Sequence, residues 1–218
     1  MLKRKTTVGS SNSSSNSRVG GGGGSKHSVG KPVLVGELTL NNRRVVYCCG
    51  GEDNSGAVLN DGTMYMWGST ARGKLGIGST DATSINLPHQ VTFGGVNSMN
   101  SVRVVQCALG SEHTGCVTST GATFMWGSGY YGKLGLGHTR NVYSPAQVRT
   151  LSGHPCSQIS CGSQHTLAIT KAGDLFAWGR GDERLGLNLS KQSQDVSTPH
   201  LNLTFRNLSL SLTCASAG

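Results

Sequence analysis

Short apolar stretches, such as Val33-Leu34-Val35 and Val45-Val46-Tyr47, alternate with polar, glycine-containing turns along most of the chain. The clearest example lies at residues 166–178, where Thr-Leu-Ala-Ile-Thr and Leu-Phe-Ala-Trp flank a turn of sequence Lys-Ala-Gly-Asp. Two short β-prone runs around a glycine turn predict a hairpin. The pattern therefore predicts an all-β protein with few helices.

The residue types in the hairpin turns predict the backbone geometry of those turns. In the first hairpin the turn is Asn60-Asp61-Gly62, and Asp-Gly predicts a two-residue turn in which both residues adopt positive φ angles. In the second hairpin the turn is Ser119-Thr120-Gly121, where glycine alone would supply the positive φ.

Each hairpin belongs to a unit that occurs three times and uses all three tryptophans of the chain. Its members are a glycine, a second glycine eleven residues later, a Trp-Gly pair and a Leu-Gly pair. Spacings of 59 and then 52 residues between the tryptophans indicate a repeat architecture. The repeat positions are Gly51, Gly62, Trp67, Gly68, Leu75 and Gly76; then Gly110, Gly121, Trp126, Gly127, Leu134 and Gly135; then Gly162, Gly173, Trp178, Gly179, Leu185 and Gly186.

Because these positions recur, we interpret them as structural positions and predict no catalytic, cofactor-binding or metal-binding residue among them. The three leucines should fill the space between neighbouring sheets, next to glycines that allow a close crossing of the chain. His113 and His165 share one position, which Asn54 occupies in the first unit, and we expect these side chains to bond to nearby backbone. The glycine-rich segments after each Trp lack the lysine-serine or lysine-threonine ending of a phosphate-binding loop.

Composition and charge divide the chain into two parts. Thirty-three of the 218 residues are glycine and 35% are apolar, which predicts many turns and a modest core. Most of the net charge of +9 lies in residues 1–44, and residues 1–31 are rich in serine, asparagine and glycine. We predict a disordered basic tail at 1–31, which leaves open a weak contact with nucleic acid.

The cysteines indicate the compartment. There are seven, no secretory leader precedes them, and no CxxC pair is present, so we expect reduced thiols, no metal site and a cytoplasmic or nuclear protein. Cys48 and Cys107 share a position that Ile159 fills in the third unit, which is the behaviour of core residues. No apolar run is long enough to cross a membrane.

Several fixed offsets recur together in a way that resembles one known family. The segments Val105–Thr114, Gly121–Gly127, Tyr131–Gly137 and Cys161–Thr166 resemble the regulator of chromosome condensation repeat. The resemblance covers about residues 43–218 and implies a seven-bladed β-propeller whose blades are four-stranded antiparallel sheets around a central channel. Pro88, Pro145 and Pro199 follow the Leu-Gly pairs at similar distances, where we expect the connections between blades.

The number of units is too small for a closed ring. We predict a partial β-propeller at 32–218, with repeats at about 45–103, 104–155 and 156–208 and the start of a fourth at 209–218. Closed propellers have about four to eight blades. We therefore expect either a fragment of a longer protein or a chain that completes a ring by self-association.

Two functions follow from these expectations. The first is a non-enzymatic module that binds a protein partner through its loops, without a cofactor or a membrane. The second, implied by the family's founding member, is guanine-nucleotide exchange on a Ran-like small GTPase at chromatin. The segment from Ser79 to Ser101 is the longest departure from the repeat and is the candidate for a GTPase-facing insertion. A third role, as an accessory domain beside a ubiquitin-ligase domain, also fits such repeats.

Overall fold

The protein is described by a computed structural model over residues 43–79, 81–94, 102–188 and 194–207. The predicted tail at 1–31 and the predicted fourth unit at 209–218 lie outside these residues. The described part contains twelve strands and one short α-helix, α1 at Leu203–Asn207. The strands are β1 (Val45–Gly50), β2 (Asn54–Leu59), β3 (Met64–Ser69), β4 (Ser84–Gln90), β5 (Val104–Leu109), β6 (His113–Thr118), β7 (Thr123–Gly127), β8 (Val142–Gln147), β9 (Cys156–Cys161), β10 (His165–Thr170), β11 (Leu175–Gly179) and β12 (Val196–Leu201).

The strands form three separate four-stranded antiparallel sheets, and each sheet uses four consecutive strands in sequence order. The first strands of the three sheets, β1, β5 and β9, contact one another in succession. They are therefore the inner strands of three adjacent blades, and β4, β8 and β12 are the outer strands. The predicted all-β fold of about three four-stranded blades is confirmed.

The hairpin turns differ from the prediction for the first unit. In all three hairpins the glycine N–H donates to the carbonyl of the third residue before it, as Gly62 does to Leu59. Gly62 has a φ of 86°, whereas Asp61 does not have a positive φ. The predicted two-residue turn is wrong, because Asp61 keeps an ordinary φ and its carboxylate accepts hydrogen bonds from the N–H and the hydroxyl of Thr63.

The prolines also lie elsewhere than expected. Pro88, Pro145 and Pro199 are not in connections between blades but within the outer strands β4, β8 and β12. An outer strand has a neighbour on one side only, so a residue without an N–H can be accommodated there. The expectation was wrong because the outer strand, and not the connection, occupies this part of each repeat.

The core lies between the sheets. One apolar cluster joins the first sheet to the second and includes Leu75 and Trp126, and another joins the second to the third and includes Leu134 and Trp178. Both of these tryptophans are completely buried, and Leu185 is buried as well. Trp67, at the same repeat position in the first sheet, is only half-buried.

A disulfide links the first two sheets. Cys49 on β1 is bonded to Cys107 on β5, with 6.4 Å between their Cα atoms. The expectation of reduced thiols is therefore wrong for this pair, because the two inner strands bring residues 58 positions apart within bonding distance. Cys48, which we grouped with Cys107, is exposed instead of buried. Among the described residues, no sheet packs against the face of the first sheet that carries Cys48.

Candidate functional site

The indole of each buried tryptophan is bonded to the preceding sheet. Trp126 Nε1 donates to the carbonyl of Lys74 at 3.0 Å, and the hydroxyl of Thr114 donates to the same oxygen at 2.8 Å. One repeat later, Trp178 Nε1 and the Thr166 hydroxyl donate to the carbonyl of Lys133 at 2.9 and 2.8 Å. We call this set of a carbonyl, an indole and a hydroxyl the interblade latch.

The latch explains why a glycine follows Lys74 and Lys133 at a distance of two residues. A Cβ atom on Gly76 would lie 2.6 Å from Trp126 Nε1, and one on Gly135 would lie 2.8 Å from Trp178 Nε1. Both glycines also have positive φ angles, near 70°. A side chain here would therefore push the tryptophan away from its acceptor.

The other repeat glycines lie at the ends of strands. Gly51, Gly110 and Gly162 donate their N–H groups to the carbonyls of Asn54, His113 and His165, which closes the turn between the first and second strands of each sheet. Gly127 and Gly179 end the third strands of their sheets and Gly68 is the last residue but one of β3, and all three have positive φ. A Cβ atom at each would meet backbone atoms of the preceding turn, as with Asp53 O at 2.5 Å from Gly68.

His113 extends the latch by one residue. It is completely buried, and its Nε2 lies 2.9 Å from the hydroxyl of Thr166 in the next sheet. The predicted bond to nearby backbone is wrong, because the side chain reaches across the interface between the sheets. Burial, with the nearby charge of Lys133, lowers the pKa of His113 from 6.5 to about 3. At neutral pH the imidazole is uncharged.

This depressed pKa makes stability depend on pH. The unfolded chain protonates at His113 as the pH falls below 6.5, and the folded chain does not until about pH 3, so stability is lost as the pH falls through this window. Lowering the pH from 7 to 5 should cost about 2 kcal/mol from this residue. We expect His113→Asn to remove that part of the slope in urea unfolding at pH 7, 6 and 5. Equal slopes for the two proteins would contradict the assignment.

Two lysines are buried beside the latches. Lys74 Nζ contacts the carboxylate of Asp53 and donates to the carbonyl of Ser111 at 3.1 Å. Lys133 Nζ lies 3.5 Å from Glu112 Oε2 and 3.4 Å from the carbonyl of Ser163. Each lysine thus joins an acceptor of its own sheet to a carbonyl of the next sheet, in keeping with a structural role.

Their charges are balanced locally. Burial lowers the pKa of Lys133, and the neighbouring carboxylate of Glu112 opposes this effect. Burial opposes ionisation of Glu112, but hydrogen bonding from Arg72 and the charge of Lys133 hold its pKa below the usual range. In the third repeat the equivalent residue is Arg184, which is exposed and pairs with Asp182 within its own loop.

The surface beside the lysines carries the exposed side chains of two arginines and one tyrosine and a second, half-buried tyrosine. We call this surface, formed by Arg72, Glu112, Tyr130, Tyr131 and Arg180, the loop face. It borders a groove of about 370 Å³ that has Lys133 in its lining. Arg72 Nε lies 3.1 Å from Glu112 Oε1, and its guanidinium lies 5.5 Å from the ring centre of Tyr130. The guanidinium of Arg180 lies 5.4 Å from the ring centre of Tyr131.

Two residues of the loop face have an unusual backbone. Arg72 and Tyr131 lie five residues after Trp67 and Trp126, so they share one repeat position. Their φ angles are 57° and 61°, in the left-handed region that residues other than glycine seldom adopt. Sequence analysis missed these residues, because the repeat fixes their position but not their residue type.

The described residues offer no metal site and no membrane-spanning helix. Residues 43–79, 81–94, 102–188 and 194–207 contain no group of three or more His, Cys, Asp and Glu side chains suited to a metal ion. Among the residues described, no helix is long and apolar enough to span a membrane. The repeat sheets account for nearly all of the regular structure among the described residues, and no catalytic domain is seen within those residues.

Comparison with known proteins agrees with this architecture. The family model "Regulator of chromosome condensation (RCC1) repeat" matches residues 61–117 and 120–169, and a second model with the same description matches residues 156–184. The E3 ubiquitin-protein ligase HERC2 of Homo sapiens is 36% identical over 165 residues, which is 74% of this chain and 3% of that protein.

Solved structures show the same arrangement of sheets. Human WBSCR16 is 26% identical with a TM-score of 0.63, over 73% of this chain and 39% of that one. Prp20p from Saccharomyces cerevisiae, studied for its binding to Gsp1p and histones, is 20% identical with a TM-score of 0.62, over 72% and 38%. The chain thus spans well under half of these proteins. The matched repeats and the three latched sheets show that it belongs to the family of regulator of chromosome condensation repeat proteins.

Proposed function

We propose that this chain is a non-enzymatic protein-protein interaction module and that its loop face binds the partner. The observation that carries the proposal is the pair of left-handed residues at one repeat position, the exposed Arg72 and the half-buried Tyr131. Backbone strain in a folded protein is retained where the surrounding structure imposes it, and it is concentrated at functional surfaces. Arginine and tyrosine are also enriched among the residues that dominate binding energy at interfaces.

The environment of the polar side chains supports binding over catalysis. His113 is uncharged and bonded to Thr166, while Lys74 and Lys133 contact carboxylates and carbonyls. These groups hold the sheets together. By contrast, Tyr130 is 57% exposed and contacts the guanidinium of Arg72 and, at a tilt, the ring of Tyr131, so much of its own ring is available to a partner.

Nucleotide exchange on a small GTPase is the second candidate, and the described residues offer less for it. Residues 84–90 of the proposed insertion, Ser79–Ser101, form the outer strand β4, and residues 80 and 95–101 lie outside the described part. The location of the protein in the cytoplasm or nucleus stays a prediction.

The Cys49–Cys107 disulfide bears on this location, because such a bond is favoured in an oxidising compartment and is reduced in most cytosols.

The proposal can be tested by substitution on the loop face. We expect Tyr130→Ala to reduce recovery of the partner by about 30-fold, since a residue at the centre of an interface contributes 2 kcal/mol or more. The immobilised chain would be exposed to an extract of the source cells, and the bound proteins would be quantified by mass spectrometry. Because Tyr130 is exposed, the urea midpoint of the variant should match that of the wild type.

Leu87→Ala is the matched control, because Leu87 is an exposed apolar residue on the outer strand β4, away from the loop face. Retention of the same bound proteins by Tyr130→Ala would overturn the proposal. A purified Ran-type GTPase loaded with fluorescent GDP supplies the contrasting assay. Release of GDP above the uncatalysed rate would favour the exchange function.

A further inference from the structure

A pocket of about 230 Å³ lies in the second repeat, at the ends of the strands opposite to the loop face. It is formed by the turn between β6 and β7, the end of β8 and the short 3-10 turn at Arg149–Leu151. The residues of the loop face in this repeat belong to the β5–β6 and β7–β8 connections. Because antiparallel strands alternate in direction, these connections lie at the other end of the sheet. The pocket is therefore separate from the loop face and from the function proposed for it.

Main-chain hydrogen bonds hold the walls of the pocket in place. The N–H of Val148 donates to the carbonyl of Thr123 at 2.9 Å, and the N–H of Cys156 donates to the carbonyl of Gly121 at 2.9 Å. Leu151, on the 3-10 turn, donates its N–H to the carbonyl of Val148 at 3.1 Å. The pocket is thus formed before any ligand arrives, as is usual for small-molecule sites.

The second repeat departs from the other two at the floor of this pocket. Thr123 lies two residues after the turn glycine, and Met64 and Leu175 occupy the same position in the first and third repeats. All three side chains are buried, with Thr123 2% exposed. Threonine is shorter than methionine or leucine and carries a hydroxyl. The substitution therefore places a polar group at a position that is apolar in the other repeats.

The hydroxyl of Thr123 has no hydrogen-bond partner among the described residues. The thiol of Cys156 is close to it, but burial raises the pKa of that thiol, so the sulfur is protonated and is only a weak acceptor. The thiol directs its own proton to the carbonyl of His154, 3.5 Å away. Buried polar groups in folded proteins are nearly always bonded, so the Thr123 hydroxyl indicates a partner that enters the pocket.

The lining of the pocket restricts the chemistry of that partner. Val148, Leu151 and Pro155 supply apolar walls, and the exposed side chain of Gln147 adds an amide to the lining. None of the described residues that line the pocket is charged, so an ion would lose its hydration without gaining an opposite charge. The volume equals the share of about seven or eight water molecules in the liquid, which suits a ligand smaller than a drug molecule.

We propose that this pocket binds a neutral carboxamide that has a short aliphatic stem. The Thr123 hydroxyl donates to the carbonyl oxygen of the ligand, and the Gln147 side chain accepts from the ligand N–H, since a hydroxyl and an amide can each donate and accept. The aliphatic stem packs against Val148, Leu151 and Pro155. A free amide and the glutamine side chain of a partner protein present the same group, and the test separates these two sources.

Titration of the ¹⁵N-labelled chain with butyramide tests the proposal. A ligand of about six non-hydrogen atoms should bind with a Kd of about 1–10 mM and shift the amide signals of Gly121, Ala122 and Leu151 in the proton–nitrogen spectrum. Butyrate has nearly the same shape but carries a charge, so we expect it to bind about 10-fold more weakly or not at all. The absence of a saturable shift up to about 50 mM butyramide would overturn the proposal.

Substitutions at one position separate the hydroxyl from the space around it. Thr123→Val keeps the shape and loses the hydroxyl, so it should bind butyramide about 5-fold more weakly, while its urea midpoint is no lower than that of the wild type. Thr123→Leu introduces the residue of the third repeat, fills the pocket and should abolish binding. Thr150→Val is the matched control, because Thr150 is exposed on the same 3-10 turn but does not line the pocket. Equal binding by the wild type and Thr123→Leu would contradict the site.

Two short peptides identify the source of the carboxamide. Acetyl-Gly-Gln-Gly-amide and acetyl-Gly-Ala-Gly-amide differ only in the side chain that the pocket would accept. Shifts of the same signals by the glutamine peptide alone support a side chain of a partner protein as the ligand. Shifts by butyramide with neither peptide active support a free amide. Equal binding of the two peptides would show that the side-chain carboxamide is not recognised, and this result would overturn the proposal.

Discussion

Replacement of Trp126 by alanine should lower the free energy of unfolding by about 3–5 kcal/mol, because the indole is completely buried between the first and second sheets. The substitution leaves a cavity and removes one of the two hydrogen bonds to the carbonyl of Lys74. Because the Thr114 hydroxyl still donates to that oxygen, the loss should come mainly from packing. Urea unfolding followed by far-ultraviolet circular dichroism measures the change.

Two further variants separate the parts of this effect. Trp126→Phe keeps a six-membered aromatic ring in the core but loses the N–H donor and the five-membered ring of the indole, so we expect a smaller loss of about 1–2 kcal/mol. Trp67→Ala removes the same residue type where it is half-buried and should cost about 1–2 kcal/mol. Equal losses for Trp67→Ala and Trp126→Ala would contradict the role of the latch.

Reduction of the disulfide should have an effect of similar size. The Cys49–Cys107 bond closes a loop of 58 residues, and the entropy that it removes from the unfolded chain corresponds to about 4 kcal/mol. We therefore expect the oxidised chain to be more stable than the reduced chain by about that amount in parallel urea titrations. The reduced first sheet should also separate more readily from the second.

Two cysteine variants serve as controls for this measurement, Cys107→Ala and Cys48→Ser. The first removes the bond, so its stability should no longer respond to a reductant. The second changes an exposed thiol at the neighbouring position of the same strand and should change stability by less than 0.5 kcal/mol. A wild-type chain whose urea midpoint does not move on reduction would show that the bond contributes nothing.

The sequence predicts the fold well because the repeat encodes it locally. The hairpins, the glycines of their turns and the tryptophans all lie within single units, and each four-stranded sheet forms from consecutive strands. A pattern that occurs three times identifies strand positions that a single copy would leave ambiguous. The outer strands were less visible, since they are more exposed and contain the prolines that we placed in connections.

Contacts between units were much harder to predict. The repeat shows that His113 and Trp126 occupy fixed positions, but not that one contacts the following sheet and the other the preceding sheet. The Cys49–Cys107 pair was missed for the same reason, because the two cysteines do not share a repeat position. Direction across an interface depends on the side of the strand that a residue occupies, which changes with a shift of one residue.

Neither the repeat pattern nor the spacing of residues within a unit predicts the loop face. Arg72 and Tyr131 share a position without sharing a residue type, and their left-handed φ angles are visible only in the backbone. The stacking of Arg72 on Tyr130 joins residues from two different repeats. A comparison that looks for the same residue type in every repeat therefore overlooks the positions at which the repeats differ. Those are the positions that can distinguish one partner from another.

The acceptor in the interblade latch is a main-chain carbonyl, which every amino acid possesses. Substitution of the side chain at this point, as from lysine to arginine, leaves the acceptor in place. An additional unit inserted between the second and third sheets would meet the same oxygen on one side and the same indole on the other. Gene duplication could thus lengthen such a chain one unit at a time, without the evolution of a new interface at any step.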